Sequence, residues 1–179
     1  MIPGIISVFR RILANLAFTK IVNPQTPSTS DRFASSLSLA NGSVLIGNSG
    51  ADISFTNAGV AYVYQKVLNE WALTQTINNP VPEFRSNFGS TVCSSPGYAC
   101  IVSNLNYNLY QQTNMCLNVY SKSETAWTLQ ASITHPEFGQ DIGNGFKAGF
   151  YNEYGPFITD DHLATIGVGL DGVKVYVYK

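Results

Sequence analysis

The sequence predicts an all-β protein built from three repeated units of antiparallel strands. A stretch at residues 59–77 recurs at residues 115–133, and its first half recurs at residues 173–179. The tyrosines that mark these stretches, Tyr64, Tyr120 and Tyr178, lie 56 and 58 residues apart. Within each unit, short runs rich in β-branched and aromatic residues alternate with turns rich in Gly, Asn and Pro. Such a pattern, repeated at a fixed period, predicts units of four short strands.

The composition is that of a globular chain with few charges. The 179 residues are 45% hydrophobic and 12% charged, with a net charge of −1. A nearly neutral chain has no basic surface to neutralise phosphates, so we expect no nucleic-acid partner. The polar positions are mostly Ser, Thr, Asn and Gln, a composition common in virion and extracellular proteins. We therefore expect a virion or extracellular/surface location rather than a cytoplasmic one.

Residues 1–15 are predicted to form an amphipathic helix or arm. Ile5, Val8, Phe9, Ile12 and Leu13 recur at helical spacing. No positive charge precedes this apolar run, which disfavours a signal peptide, and the run is too short to span a bilayer. We expect the helix to dock on its own chain or on a partner subunit. Docking on a membrane surface is the less favoured alternative.

The remaining residues, 16–179, are predicted to form one domain of three units at about 31–80, 84–136 and 138–179. The third unit stops at residues 173–179 and has no fourth strand. The chain contains a spare strand, because residues 16–24 align with residues 71–80, with Leu16 over Trp71 and Phe18 over Leu73. We expect strand 16–22 to complete a third unit, since an unfinished sheet leaves a row of unpaired backbone groups.

Four strands in about 50 residues are typical of a β-propeller blade. The units resemble FG-GAP repeats, the blades of the integrin α-chain head. Phe33, Phe88 and Phe138 stand in the FG position, and residues 46–52 and 166–168 stand in the GAP position. The resemblance covers residues 31–179. It implies a propeller in which the three phenylalanines pack within the repeats.

Three blades are fewer than the four to eight of typical propellers. An open stack of three would expose apolar blade faces. We therefore expect a homo-oligomer or a larger assembly, in which strand 16–22 of one chain finishes the third blade of another. A closed or docked monomer and a fragment held by a different partner are the alternatives.

The resemblance also raises calcium, which many FG-GAP repeats bind in a loop of alternating Asp and Asn. The nearest such stretch offers Asn48, Asp52 and Asn57. A single carboxylate is a weak set of ligands for calcium. We therefore predict no metal and no cofactor, with calcium at these three residues as the alternative.

The three cysteines, Cys93, Cys100 and Cys116, are an odd number and predict buried thiols rather than a disulfide framework. A Cys93–Cys100 bridge across a hairpin is the alternative. His135 and His162 are the only histidines. No motif supports them as a catalytic set, so we predict no catalytic residues.

Two sets of aromatic residues are candidates for contacts. Trp71 and Trp127 repeat in the outer strand of their units, which predicts packing between units, with stacking on a sugar as the alternative. The stretch 140–157 has no counterpart in the other units, and irregular insertions in repeats often carry function. The predicted contact residues in it are Phe146, Phe150, Tyr151, Tyr154 and Phe157.

Together these features predict a non-enzymatic structural or interaction protein. It would be a propeller module that acts by protein–protein contact, as a virion or surface assembly component. A secreted or surface adhesion module that binds carbohydrate, as lectins do, is the first alternative. A hydrolase on a propeller scaffold is the second.

Overall fold

The fold was analysed in a computed structural model. It describes residues 5–12, 15–22, 31–68, 70–105, 114–124, 126–138, 140–143, 146–147, 149–150 and 155–179. All regular elements in these ranges are β-strands, arranged in antiparallel sheets. The all-β prediction is confirmed. Three of the sheets pack face to face, and the described strands do not form a closed ring.

The first sheet has four strands in sequence order. They are β3 (Phe33–Ala40), β4 (Ser43–Asn48), β5 (Val60–Val67) and β6 (Glu70–Asn78). β3 and β4 are joined by Asn41-Gly42, both with positive φ, as a two-residue hairpin of the right twist requires. β4 is buried along its whole length, because both faces of this sheet are covered.

The second sheet repeats this order. Its strands are β7 (Val92–Ser94), β8 (Tyr98–Leu105), β9 (Asn114–Lys122) and β10 (Trp127–Thr134). The pairing of β5 with β6 shifts register between Val63 and Tyr64. The pairing of β9 with β10 shifts at the corresponding place, between Val119 and Tyr120. A bulge at the same position means that residues of the two sheets can be matched one to one.

The third sheet is only three strand positions wide. Two short strands, β13 (Gly149–Phe150) and β14 (Phe157–Ile158), lie end to end along one edge of β15 (Leu163–Gly169). β16 (Gly172–Tyr178) lies along the other edge. In the described ranges no strand pairs with the outer edge of β16. Among the described residues, the third sheet therefore has no strand beyond β16. A separate pair, β11 (Asp141–Gly143) and β12 (Phe146–Lys147), precedes this sheet.

The predicted N-terminal helix is wrong for residues 5–12. They form a strand, β1 (Ile5–Ile12), which pairs antiparallel with β2 (Asn15–Val22). The run is rich in β-branched residues, and a strand partner follows at once, so pairing satisfies its backbone as well as a helix would. The strand predicted at 16–22 is present. Within this chain it pairs with β1 rather than with the third sheet.

The hairpin β1–β2 lies against the first sheet, with β2 beside β6 and β1 beside β3. The face of that sheet turned away from the second sheet carries a buried cluster that includes Val44, Ile46 and Tyr62. The sheets are therefore stacked in the order first, second and third, with the hairpin beside β3 and β6 of the first sheet. The described residues contain no helix of the length and apolarity needed to cross a membrane.

Two apolar clusters join the three sheets. Between the first and second sheets lie Leu45, Ala61, Val63, Ile77, Phe88, Val92, Ala99, Ile101, Tyr120 and Trp127. Between the second and third lie Cys100, Val102, Met115, Leu117, Phe150 and Leu163, with Tyr176 and Tyr178 packed against them. The second sheet contributes opposite faces to the two clusters and is therefore the middle layer.

Glycine allows the first and second sheets to approach closely. A Cβ at Gly47 would overlap the carbonyl oxygen of Gly89, and a Cβ at Gly59 would overlap the carbonyl oxygen of Phe88. Gly59 and Gly89 have φ of +81° and +87°, which side chains disfavour. Ser35 and Ser36 donate their hydroxyl hydrogens to the Gly89 carbonyl, at 3.0 and 2.8 Å. The Phe88-Gly89 backbone is thereby fixed against the first sheet.

We predict that Trp127→Ala destabilises the protein by roughly 3–5 kcal/mol, because it empties the cluster between two sheets. Trp71→Ala is the matched control. Trp71 occupies the same place in its unit but is only partly buried, so its loss should cost less. Denaturant unfolding of the two variants measures both changes. An equal or larger loss for Trp71→Ala would contradict this account of the packing.

Candidate functional site

One face of the third sheet is apolar and open to solvent. We call it the valine face, and it consists of Phe157, Ala164, Ile166, Val168, Val173, Val175 and Val177. Cross-strand pairing puts Ala164 opposite Val177, Ile166 opposite Val175 and Val168 opposite Val173, so these side chains share one face. The three β16 valines are 72%, 67% and 61% exposed in chain order. No described element covers them.

The corresponding positions in the other sheets are covered. Val63, Val119 and Val177 each precede the tyrosine that marks the repeat. Val63 is 1% exposed and packs against the second sheet, and Val119 packs against the third. The valine face is therefore the surface that would meet a further sheet if the stack continued. Sequence analysis missed it, although the alternation of valines at 173, 175 and 177 was a visible signal.

A cleft of about 280 Å³ opens between the second and third sheets. Its apolar walls are Val119, Ala131 and Ile133 on the second sheet and Ile158, Leu163 and Tyr178 on the third. Its rim is polar, with Tyr98, Asp160, Asp161, His162 and Lys179. The cleft thus combines an apolar floor with polar groups at its mouth, and β16 forms one of its edges.

Asp160 on this rim has a structural role. Its carboxylate accepts hydrogen bonds from the Ser95 hydroxyl, at 2.6 Å, and from the Gly97 backbone N–H, at 2.9 Å. These two bonds lower the pKa of Asp160, the Ser95 bond first. Asp160 thereby ties the turn between β7 and β8 to the segment that leads into β15. The neighbouring backbone N–H of His162 donates to the Thr159 hydroxyl at 3.0 Å, which closes the turn.

His135 is buried at the base of the third sheet. Its ring lies edge-on to Phe150 and Tyr176, with centroids 5.1 and 4.8 Å away. Its Nδ1 accepts the Glu137 backbone N–H at 3.1 Å, just as Asn79 in the preceding unit accepts that of Val81. Nε2 is buried and has no hydrogen-bond partner among the described residues. Burial lowers the pKa of His135.

The residues considered for calcium lie in β4 and in the loop that follows it. Asp52 uses a carboxylate oxygen to accept the Asn57 backbone N–H at 2.8 Å, which closes a local turn. Asn48 is fully buried in β4, and its side-chain amide has no hydrogen-bond partner among the described residues. Across the described ranges no three His, Cys, Asp or Glu side chains lie close enough together to hold a metal ion.

The predicted contact residues are placed differently from one another. Phe157 is exposed and belongs to the valine face. The prediction of a surface contact for Phe150 is wrong, because its ring is buried against His135 and Tyr176. Gly167 has no side chain and so leaves room for the packing of the Phe150 and His135 rings, since a Cβ there would lie 2.7 Å from the His135 ring. The Phe146 side chain, Tyr151 and Tyr154 lie outside the described part of the chain.

The five residues predicted to pack within the repeats also differ. Phe88 and Trp127 are buried between the first two sheets, while Phe33 and Trp71 pack against the outer cluster of the first sheet. Phe138 lies in the turn after β10, three residues beyond His135. Phe88 lies nine residues beyond the matching Asn79, so the two phenylalanines do not occupy equivalent places.

The three cysteines are free thiols. Cys93 and Cys100 are directly opposite one another on β7 and β8. The neighbouring Cys93 thiol and burial raise the pKa of Cys100, and burial raises that of Cys116. Cys100, and the partly buried Cys93 packed against it, contribute to the apolar contact between the second and third sheets.

No protein-family model matches the sequence, and no curated protein is significantly similar to it.

We predict that the protein loses stability as the pH falls from about 6.5, the unfolded pKa of histidine, because the buried His135 resists protonation. The unfolded chain takes up a proton in this range and the folded chain does not. The Lys174 ammonium adds to this resistance, and the Glu137 carboxylate opposes it. The free energy of unfolding, measured from pH 7.5 to pH 5, should therefore decline.

His135→Asn is the informative variant, because asparagine at the matching position 79 makes the same turn without titrating. It should unfold with less dependence on pH over this range, whatever its absolute stability. His162→Asn, at an exposed site, is the control for the loss of a histidine elsewhere in the chain. Identical slopes for His135→Asn and the unaltered protein would refute the role of His135.

Proposed function

We propose that this protein is a non-enzymatic structural module that acts by protein–protein contact, with a second copy of itself as the partner. The valine face is the observation that carries the proposal. Monomeric soluble proteins rarely leave a contiguous apolar surface open, and such a surface marks an interaction site. The three exposed β16 valines offer a flat and uncharged contact area.

The surroundings of the valine face favour contact with another β-sheet. Sheets pack face to face through interdigitated apolar side chains, as the first and second sheets of this chain do. A valine face has no hydrogen-bonding groups with which to select a polar ligand. A second copy brings a surface of the same composition, and identical faces meet across a two-fold axis in most homodimers.

We further propose that the three sheets are blades of an incomplete β-propeller of the FG-GAP type, completed by association. The repeated strand order, the shared bulge and the Phe88-Gly89 turn packed on Gly59 support this interpretation. The resemblance of residues 31–179 to FG-GAP repeats is consistent with the same arrangement. In this scheme the valine face is one end of the stack, and the third sheet of another copy would pack on it.

Val175→Lys tests the proposal, because it places a charge at the centre of the valine face on an exposed side chain. We expect the unaltered protein to associate in a concentration-dependent way and Val175→Lys to remain a monomer, since a buried charge without a partner opposes association. Light scattering at a series of concentrations measures the mass. Circular dichroism and the melting temperature check that the fold is kept.

Leu39→Lys is the matched control. Leu39 is an exposed apolar residue on a strand of the first sheet, outside the valine face. This variant should associate like the unaltered protein. A monomer at every concentration for the unaltered chain, or equal association of Val175→Lys, would overturn the proposed function.

A further inference from the structure

The cleft between the second and third sheets lies at the edge where a strand is missing. β6 pairs with β5 and β10 pairs with β9, each as the outermost strand of its sheet. β16 corresponds to β5 and β9, because Tyr64, Tyr120 and Tyr178 mark the same position. Its outer edge has no described partner. Unpaired backbone groups on such an edge are a template for another strand.

The contact of β10 with the first sheet shows how an outermost strand is held by the preceding sheet. The Gln75 side chain on β6 accepts the Trp127 backbone N–H at 2.8 Å and donates to the Trp127 carbonyl at 2.9 Å. The Trp127 ring is buried in the cluster that contains Val63 and Ile77. An outer strand is therefore held by its neighbour within the sheet and also by the preceding sheet.

The residues of the second sheet that line the cleft correspond in position to the residues of the first sheet that surround Trp127. In the first sheet Val63 pairs with Gln75 and Ala61 with Ile77; in the second, Val119 pairs with Ala131 and Leu117 with Ile133. Val63, Gln75 and Ile77 thus correspond to Val119, Ala131 and Ile133, which form the apolar wall of the cleft. Val63 and Ile77 are buried, whereas Ile133 is half-buried and Ala131 is exposed. The cleft is the unfilled counterpart of the tryptophan site.

We infer that the cleft and the outer edge of β16 bind an added antiparallel strand, and that this strand is β2 of a second copy. Residues 16–24 align with residues 71–80, so Leu16 takes the place of Trp71 and Trp127, and Phe18 takes the place of Leu73 and Leu129. In that register both apolar residues face the cleft. The inference rests on the proposed function, whose partner is also a second copy.

A second copy is the source of β2 that this arrangement favours, because β2 of the same chain is beside the first sheet, at the other end of the stack from β16. It pairs with β1 and lies beside β6 of the first sheet. The second sheet separates the first sheet from the third. Backbone hydrogen bonds along β16 would provide affinity, and the cleft would select the side chains at positions 16 and 18, as in other complexes formed by strand addition.

The test uses a fluorescent synthetic peptide of residues 14–24 and the full-length protein, with binding measured by anisotropy. We expect saturable binding, and roughly tenfold tighter binding of the peptide with Leu16→Trp, because the larger side chain fills the tryptophan seat. A scrambled peptide of the same composition should not bind. Absence of binding, or equal binding of the scrambled peptide, would overturn the inference.

Three protein variants locate the site. Ala131→Trp fills the cleft and should weaken peptide binding at least tenfold, whereas Leu129→Trp, on the opposite face of the same strand, should not. Ala131→Gln introduces the residue that the first sheet has at the corresponding position. Because its amide can hydrogen-bond to the backbone of the peptide, this variant should bind the peptide several-fold more tightly. Binding that none of the substitutions at Ala131 alters would place the peptide elsewhere and overturn the inference.

Failure of this inference and failure of the proposed function give different results. If Val175→Lys abolishes self-association but the peptide does not bind, the valine face remains the contact and the added strand is wrong. If the peptide binds as expected but Val175→Lys associates normally, strand addition stands and the valine face is not the contact.

Discussion

Each of the three sheets has two apolar faces, and this constraint governs the whole molecule. A sheet of short strands is stable in water only if such faces are covered, and the chain covers them by stacking one sheet on the next. The second sheet is covered on both sides, by clusters that include Tyr120 and Trp127 on one face and Cys100 and Leu117 on the other. The first sheet is covered by the second on one face, and the N-terminal hairpin lies beside its strands β3 and β6. The valine face has no cover among the described residues.

Polar contacts determine how the sheets are aligned. The Gln75 amide holds the Trp127 backbone, and the Ser35 and Ser36 hydroxyls hold the Gly89 carbonyl. Ser94 donates its hydroxyl to that of Ser38 at 2.9 Å, again between the first and second sheets. These contacts satisfy backbone and hydroxyl groups that sheet packing would otherwise leave unpaired. The boundary between the second and third sheets has Asp160 as a comparable link, but it has Ala131 where Gln75 would be.

Much of the fold could be predicted from the sequence, because strand repeats are encoded locally. The tyrosine spacing and the Asn41-Gly42 turn both correspond to features of the structure. The helix predicted at residues 5–12 could not be separated from a strand, since periodicity alone does not distinguish the two for a short apolar run. The run forms a strand because β2 follows it and pairs with it.

The candidate site was harder to predict, because it depends on which faces remain uncovered after packing. Phe150 was assigned to the surface, yet Gly167, its cross-strand partner on β15, makes room for its ring in the core. The cleft differs from the tryptophan site in two ways: no described tryptophan fills it, and Ala131 stands where the first sheet has Gln75. Both were visible in the repeat alignment, but their meaning depends on the contact of Trp127 with the preceding sheet.

Amide hydrogen exchange at two protein concentrations would test most directly whether another copy completes the third sheet. β5 (Val60–Val67) is paired on both sides within the chain and should exchange slowly in dilute and concentrated solution alike. β16 (Gly172–Tyr178) should exchange fast when dilute and become protected when concentrated, because its outer edge and its valine face are then covered. Equal exchange of β16 at both concentrations would contradict the account.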